Sequence, residues 1–297
     1  MLDFVRALRI PVVATLHTVL RQPAYSQRRI LSELVDAAAA TVVMSQTAAS
    51  LLTGSYAVDP TRLDIVAHGV PDLPLLAPDT VKPRLGLQGR SVILSFGLLG
   101  PGKGYESAIA AMPAVVKAVP NVCYVILGAT HPDLLQREGE AYRRSLEMTA
   151  AELGVTDHVQ FVDRFVSKTE LGTWLEAADI FVTPYPNLDQ IVSGTLSYAM
   201  GAGKAIVSTP YAYAREQLAS GRGRLVPPGS SEALAQTLVE LLLDPVMRAS
   251  LGRHAYDYSR GRVWSEVGAQ YRRIFARAAG STLQLTAPAQ TYAAVGG

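Results

Sequence analysis

The clearest chemical signal is a glycine-rich loop that ends in a lysine, GLLGPGKG at Gly97 to Gly104. Gly97, Gly102 and Lys103 have the spacing of a P-loop. Gly104, however, stands where a Mg²⁺-binding Ser or Thr is required, and no strand ends in an obvious Mg²⁺-binding Asp, which argues against a P-loop NTPase. What remains is a loop that presents a lysine to the carboxyl edge of a parallel sheet, where ligands of open α/β sheets bind. The alternative is a surface lysine at the start of a helix.

A second segment with chemical potential runs from Asp189 to Pro210, DQIVSGTLSYAMGAGKAIVSTP. Its polar loop ends in Ser193-Gly194-Thr195 and leads into a short apolar helix. Free backbone N–H groups and the helix dipole make such a helix start an anion site, and Gly194 lets a phosphate approach the backbone closely. The alternative is an ordinary loop, helix and strand of an α/β protein.

Three histidines lie where predicted strands end. His17 follows a strand and could contact a ligand or move a proton, although a lone histidine is more often structural. His131 lies at another strand end and faces the same edge if the strands are parallel, whereas His68 reads as a turn residue before Gly69. No spacing of His, Cys, Asp and Glu indicates a metal site, and no GxSxG nucleophile elbow is present. We therefore expect no metal.

The elements that position these residues alternate along the chain. Short runs rich in Val and Ile are typical of buried parallel strands, and helical patterns separate them, so the sequence predicts a doubly wound parallel α/β fold. The predicted strands are 11–16, 41–45, 63–67, 91–96, 122–128, 159–162, 180–184, 205–208 and 225–227. The predicted helices are 26–39, 105–118, 134–153, 168–178, 231–243, 245–258 and 264–279.

Composition limits the class of protein. The 297 residues are 49% hydrophobic and 18% charged, which is typical of a globular chain with a large core. The net charge of +2 gives no support to nucleic-acid binding. No apolar run reaches the length of a membrane span. The single cysteine, Cys123, lies in an apolar run, so we expect a buried thiol and a reducing, cytoplasmic setting.

A proline-rich seam at 71–83, PDLPLLAPDTVKP, predicts a linker between two domains. Residues 1–75 hold only about three strands, so we predict a partial domain there, because sheets usually have more strands. Residues 85–261 are predicted to form a complete domain, and 262–279 a closing amphipathic helix. Residues 280–297 lack periodicity and are predicted to be a flexible tail.

The ordered set of segments resembles glycosyltransferase family 4, the retaining group 1 enzymes of GT-B type. The segments that carry the resemblance are IPVVATLHT, LDIVAHGVPD, SVILSFGLLGPGKGYESAI, ADIFVTPY, SGTLSYAMGAGKAIVSTP and GRGRLVPPGSSEALAQTLVELLLDP. Together with the helix at Trp264, they cover about residues 10–279. Within the family they look most like a mannosyltransferase-like subgroup. The resemblance implies two Rossmann-like domains, of which the N-terminal one is incomplete here, and a helix that crosses back to the N-terminal domain.

The family's functional residues carry over onto this sequence unevenly. The resemblance implies that His17 contacts the donor sugar, that Lys103 binds the diphosphate, and that the amides of Gly194 and Thr195 hold the distal phosphate. The residues predicted to be catalytic are His17, Lys103 and Gln190. The residues predicted to bind the nucleotide sugar are Gly97, Gly102, Lys103, Arg164, Asp189, Ser193, Gly194, Thr195 and Tyr198.

Several positions depart from the family pattern. Leu98 stands where the family usually has an arginine, and Gln190 and Tyr198 replace two glutamates. Gln190 is expected to hydrogen-bond a sugar hydroxyl, and Tyr198 to stack on the nucleoside or to offer its hydroxyl. Asp189 is a neighbouring carboxylate that could substitute for the lost one. Arg164 lies where the family's base pocket begins.

The resemblance implies a metal-independent hexosyltransferase that moves mannose from GDP-mannose to a glycan or a lipid-linked acceptor, in the cytoplasm or at the inner membrane face. Peripheral membrane contact is compatible with such an acceptor. Family members carry further residues before the IPVVATLHT strand, so we expect the chain to be N-terminally truncated. Two alternatives stay open. One is a non-catalytic nucleotide-sugar-binding remnant or half of a two-chain transferase, and the other is a sugar epimerase, for which no paired carboxylates are evident.

Overall fold

The computed structural model describes residues 2–8 and 10–280, and its first sheet has three parallel strands. The strands are β1 (Val13–Leu16), β2 (Ala40–Val43) and β3 (Leu63–Ile65), in the order β1-β2-β3. The helices of this part are α1 (Leu2–Ala7), α2 (Tyr25–Ala37) and α3 (Gln46–Ser55). A Ser45 side chain caps α3 by accepting a hydrogen bond from Ala48 N.

The second sheet has six parallel strands in the order β6-β5-β4-β7-β8-β9. The strands are β4 (Ser91–Phe96), β5 (Val122–Leu127), β6 (Val159–Val162), β7 (Ile180–Thr183), β8 (Ala205–Ser208) and β9 (Arg224–Leu225). This is the order of the dinucleotide-binding doubly wound sheet, in which the strand order reverses between two central strands. Here the reversal falls between β4 and β7. The doubly wound parallel fold is confirmed, and each predicted strand is present.

Nine helices follow in the described part of the chain after the first sheet. They are α4 (Tyr105–Ala118), α5 (Pro132–Glu138), α6 (Ala141–Glu152), α7 (Lys168–Ala177), α8 (Gly194–Gly201), α9 (Ala212–Gln217), α10 (Ser231–Leu243), α11 (Pro245–Ser259) and α12 (Trp264–Ala278). The predicted single helix 134–153 is wrong. Gly139 has a φ of +59°, which ends α5, and the chain restarts as α6 after Glu140.

The second sheet is covered on both faces, because alternate residues of each strand enter opposite cores. On β4, Ile93 packs into one hydrophobic cluster and Leu94 into the other. On β7, Val182 and Phe181 divide in the same way. Cys123 is buried on β5, as predicted. The carboxyl ends of the strands are therefore the part of this sheet that remains available for a ligand.

The last helix, α12, packs against the first sheet. Val267 and Ile274 of α12 form a cluster with Ala40 and Val42 of β2 and with Val66. The chain thus returns to its N-terminal part after the second sheet. The predicted domain limits, 1–75 and 85–261, stay predictions. The predicted flexible tail lies outside the described residues, apart from Gly280. No helix in residues 2–8 and 10–280 has both the length and the apolar character needed to cross a membrane.

Candidate functional site

The glycine-rich loop lies at the switch point of the second sheet, between the carboxyl ends of β4 and β7. Gly104 caps α4 with a φ of +74°, and a Cβ there would lie 2.0 Å from the carbonyl oxygen of Pro184, just after β7. Only glycine permits this approach, so Gly104 lets the start of α4 pack against the backbone that follows β7. Gly102 has a φ of +88° and no neighbour within 4 Å of a Cβ position. The loop that carries Lys103 is therefore open to a ligand.

Lys103 contacts a tyrosine that links it to the start of α8. Its Nζ lies 4.7 Å from the centre of the Tyr185 ring, and the Tyr185 hydroxyl is 3.0 Å from Thr195 Oγ1. Tyr185 is buried and stacks on Tyr211, with ring centroids 5.3 Å apart. Sequence reasoning missed Tyr185, although an aromatic residue directly after a buried strand at the switch point was the available signal. The structure thus brings together the two predicted anion-binding segments.

The amino end of α8 has the geometry of an anion site. Ser193 caps the helix by accepting a hydrogen bond from Leu196 N at 3.3 Å, and its Oγ lies 3.2 Å from Thr195 Oγ1. The amides of Gly194 and Thr195 begin the helix, where N–H groups have no intrahelical acceptor. A Cβ on Gly97 would lie 3.5 Å from Thr195 Cγ2, so the glycine-rich loop borders this helix start. Positive dipole and free donors therefore face the Lys103 loop.

His68 packs directly against the first residue of α8. A Cβ on Gly194 would lie 2.9 Å from His68 Nε2 and 3.2 Å from Cε1. The imidazole also makes edge contacts with Tyr198 and Trp264, at centroid distances of 6.0 and 5.9 Å. The prediction of a turn residue therefore missed the contacts of this ring. A side chain at position 194 would clash with the His68 ring, and it would also obstruct a phosphate that approaches the backbone.

The electrostatics of the histidines differ. Burial lowers the pKa of His68, the hydrogen bond to Gly69 O opposes this, and the nearby His17 lowers the pKa further. His17 itself is exposed just after β1, and it lies close enough to His68 to affect the pKa of that ring. His131 is placed differently from the expectation, because its Nδ1 accepts a hydrogen bond from Asp133 N and caps α5. Of the three predicted strand-end histidines, His17 and His68 lie near one another.

A cavity of about 200 Å³ lies beside the glycine-rich loop. Its lining residues are Phe96, Gly97, Leu98, Leu127, Gly128, Ala129, Arg164, Phe165, Val166 and Leu171. Leu98 thus contributes apolar surface where the family pattern has an arginine. Arg164 lies at the cavity edge, but its guanidinium is bound bidentately by Glu170. Phe165 is 72% exposed, which leaves an aromatic face free to stack on a planar ring.

Gln190 and Asp189, in the loop before α8, also have partners among the described residues. The Gln190 side-chain amide donates to Val192 O at 2.9 Å, within its own loop. The Asp189 carboxylate forms an exposed ion pair with Arg21 at 3.0 Å, which joins this loop to the segment after β1. Tyr198 is half-buried on α8, with its ring between His68 and Phe96. The ligand roles of all three stay predictions.

A comparison with protein families identifies the class of protein to which this chain belongs. Residues 79–258, more than half of the chain, match the family model for glycosyl transferases group 1. The chain therefore belongs to the group 1 glycosyltransferases. The match begins just before β4 and ends near the end of α11, so it contains the Lys103 loop and the α8 start.

Curated relatives refine this class. The D-inositol 3-phosphate glycosyltransferase of Corynebacterium efficiens is 28% identical over 91% of this chain and 66% of the relative. The GDP-mannose-dependent alpha-(1-6)-phosphatidylinositol monomannoside mannosyltransferase of Mycolicibacterium smegmatis is 29% identical over 67% of this chain and 49% of the relative. The chain thus spans about half to two thirds of the length of these relatives.

Among solved structures, Anabaena HepE in complex with UDP-glucose superposes with a TM-score of 0.74. The two chains are 19% identical, over 90% of this chain and 72% of HepE. At this identity the likeness concerns the fold, which is of GT-B type.

Proposed function

We propose that this chain transfers a hexose from a nucleoside-diphosphate sugar to a lipid-linked or glycan acceptor, with retention of the anomeric configuration. Mannose is the hexose that we propose. The observation that carries the proposal is the convergence of Lys103, Tyr185 and the free amides of α8 at the switch point of the second sheet. Leaving-group charge develops on the diphosphate as the glycosidic bond breaks. Preorganised donors and positive charge at that position lower the barrier of such a step.

The residues divide this work by position. Lys103 supplies a mobile positive charge, and the amides of Gly194 and Thr195 supply fixed donors, so the chain's own groups meet the diphosphate and we propose that no metal is needed. The cavity lined by Leu98 and Phe165 takes the base by apolar contact and stacking. His17, exposed beyond β1, faces the sugar. Gln190 reaches a sugar hydroxyl only if its contact with Val192 is exchanged.

GDP-mannose is the proposed donor because the Mycolicibacterium relative is described as GDP-mannose-dependent. The acceptor is proposed to contain inositol, since that relative and the Corynebacterium relative both act on inositol compounds by their names. UDP-glucose is the rival donor, because HepE was crystallised with it. Membership of glycosyltransferase family 4 and of its mannosyltransferase-like subgroup is part of the same proposal.

The second candidate is a nucleotide-sugar-binding protein that does not catalyse transfer alone, or one half of a two-chain transferase. It is favoured by the engagement of Gln190 and Asp189 with other groups of this chain. Both candidates require a working nucleotide site, so binding and transfer are measured separately.

The test is calorimetric titration of the purified chain with GDP, UDP and GDP-mannose, followed by transfer from labelled GDP-mannose to inositol-containing acceptors. We expect GDP to bind more tightly than UDP, and Lys103→Ala to weaken it by roughly 10- to 150-fold, because a charged hydrogen bond is worth about 1.5–3 kcal/mol. The control is Lys117→Ala, an exposed lysine near the far end of α4.

Three results decide between the candidates. Transfer that Lys103→Ala abolishes and Lys117→Ala preserves supports the enzyme. Nucleotide binding without transfer to any acceptor supports the binding protein or half-enzyme. A folded chain that binds no nucleotide, or one whose affinity is the same in Lys103→Ala, contradicts the proposed phosphate site.

A further inference from the structure

One hydrogen bond sets which ring nitrogen of neutral His68 carries the proton. Its Nδ1 lies 2.8 Å from the carbonyl oxygen of Gly69. A carbonyl oxygen can only accept, so Nδ1 carries the proton in this contact. The neutral ring then has an unprotonated Nε2. This is the atom that faces Gly194, and it has no hydrogen-bond partner among residues 2–8 and 10–280.

The ring is also held in place. Tyr198 of α8 and Trp264 of α12 contact it edge-on, and Gly69 cannot accept a Cβ because the Trp264 ring would lie 2.3 Å from it. Among the described residues, the titratable groups that face His68 are His17 after β1 and Tyr198 on α8. Neither group is a carboxylate. Within the described part of the chain, the imidazole therefore has no anionic partner until a ligand supplies one.

We propose that His68 takes up a proton when a nucleoside diphosphate binds at the start of α8, and that its Nε2–H then donates a hydrogen bond to the distal phosphate. The proton comes from solvent and returns to it when the nucleotide leaves, so no bond within the ligand is made or broken in this step. This inference rests on the proposed function, because it requires the phosphate to lie at the Gly194 and Thr195 amides.

The physical argument has two opposing parts. In the free protein, burial and His17 disfavour the charged ring and lower its pKa. An anion within hydrogen-bond reach of the α8 amides brings negative charge against Nε2, and an opposite charge at such a distance favours the protonated ring and raises its pKa. The imidazolium would then add a charge-assisted hydrogen bond to those of Lys103 and the helix start. His68 would thus be a positioning group for the leaving diphosphate.

Proton uptake makes binding depend on pH. Between the pKa of the free ring and that of the bound ring, the affinity for GDP should tighten as pH falls, by at most about tenfold per pH unit for one proton. Below both pKa values, and above both, this dependence on His68 should vanish. A ring that only fills space would leave the affinity unchanged over the same range.

The experiment measures proton linkage directly. GDP and UDP are titrated near neutral pH in two buffers of different ionisation enthalpy, with wild type, His68→Asn and the control His254→Asn. His254 lies on α11, its side chain is exposed, and its Nδ1 forms a hydrogen bond with Gly221 O. The ring nitrogens of His68 are followed in parallel by NMR in the wild-type protein, with His68→Asn used for assignment and its folding checked by thermal unfolding.

We expect uptake of a fraction of a proton in wild type and in His254→Asn, none in His68→Asn, and NMR signals that change from the Nδ1–H tautomer to the doubly protonated ring when GDP binds. Equal binding enthalpy in both buffers, or uptake that persists in His68→Asn, would overturn the inference while leaving the nucleotide site intact. Absence of any nucleotide binding by folded wild type would overturn the proposed function and the inference with it.

Discussion

The contact between Gly194 and His68 gives the sharpest prediction, which is the effect of Gly194→Ala. Gly194 begins α8 and its φ is not in the left-handed region, so alanine suits its backbone. The new methyl would lie 2.9 Å from His68 Nε2, which is closer than real Cβ contacts. The ring cannot simply turn away, because Gly69 O, Tyr198 and Trp264 hold it. Either the ring or the start of α8 must move.

The magnitude follows from this geometry. Inserting a methyl into a packed contact costs about 1–3 kcal/mol, and alanine recovers at most about 1 kcal/mol of helix propensity. We therefore expect Gly194→Ala to lower the free energy of unfolding by about 0–3 kcal/mol. Displacement of the first amides should also weaken GDP binding by at least about tenfold, since about 1.4 kcal/mol corresponds to one such hydrogen bond.

The assay is urea unfolding combined with GDP calorimetry, read as a double-mutant cycle with His68→Ala. Removing the imidazole leaves room for the methyl, so Gly194→Ala should cost little stability in the His68→Ala background. The coupling energy should be about 1–3 kcal/mol. The control is Gly54→Ala in α3, where a Cβ meets nothing within 4 Å. That change should raise stability by up to about 1 kcal/mol.

Additive effects of the two substitutions on the free energy of unfolding would refute the steric argument. If Gly194→Ala and His68→Ala add without coupling, the methyl does not press on the imidazole. If Gly194→Ala leaves both stability and GDP affinity unchanged, the amino end of α8 is not constrained as the distances imply.

Two further predictions concern stability. The Glu216 carboxylate accepts hydrogen bonds from Gln46 N, Thr47 N and Thr47 Oγ1 at the start of α3. Glu216→Gln should therefore lower the free energy of unfolding by about 1–2 kcal/mol in urea titration, whereas the exposed control Glu240→Gln should leave it unchanged. Equal free energies of unfolding for the two variants would contradict this role of Glu216. Burial lowers the pKa of Lys204 to about 8, below that of an unfolded lysine. The unfolded chain then binds more protons than the folded one between about pH 8 and about pH 10, so unfolding free energy should rise with pH there, by at most about 1.4 kcal/mol per unit. Lys204→Met should remove that rise, and a rise of the same size in the variant would refute the assignment.

Much of the fold could be predicted because its signals are local. A strand such as Ser91–Phe96 is a short β-branched run bounded by turn residues, and nothing distant is needed to recognise it. The break at Gly139 was also a local signal, but the helical pattern on both sides outweighed it in the prediction. Helices α3 and α9 were not predicted, because their apolar faces are completed by distant partners: Ala48 of α3 and Ala212 of α9 share one cluster.

The candidate site was likewise predictable only where its signals are local. Glycine and lysine spacing predicts the Lys103 loop and the α8 start, because both depend on backbone donors whose geometry follows from a strand–loop–helix sequence. The pairing of Arg164 with Glu170 and of Asp189 with Arg21 could not be foreseen. The sequence contains many oppositely charged residues with which each side chain could pair, and only the folded chain shows which one lies beside it.

The sequence by itself therefore determined the strands and most of the helices, and which two loops offer positive charge and backbone amides. Only the tertiary structure decided that these loops meet, since this depends on the reversal of strand order between β4 and β7. It alone brought His68, from the end of the first sheet, against Gly194 of the second. The physical reason is that secondary structure follows from short-range backbone preferences, whereas a site is made by side chains that long-range packing brings together.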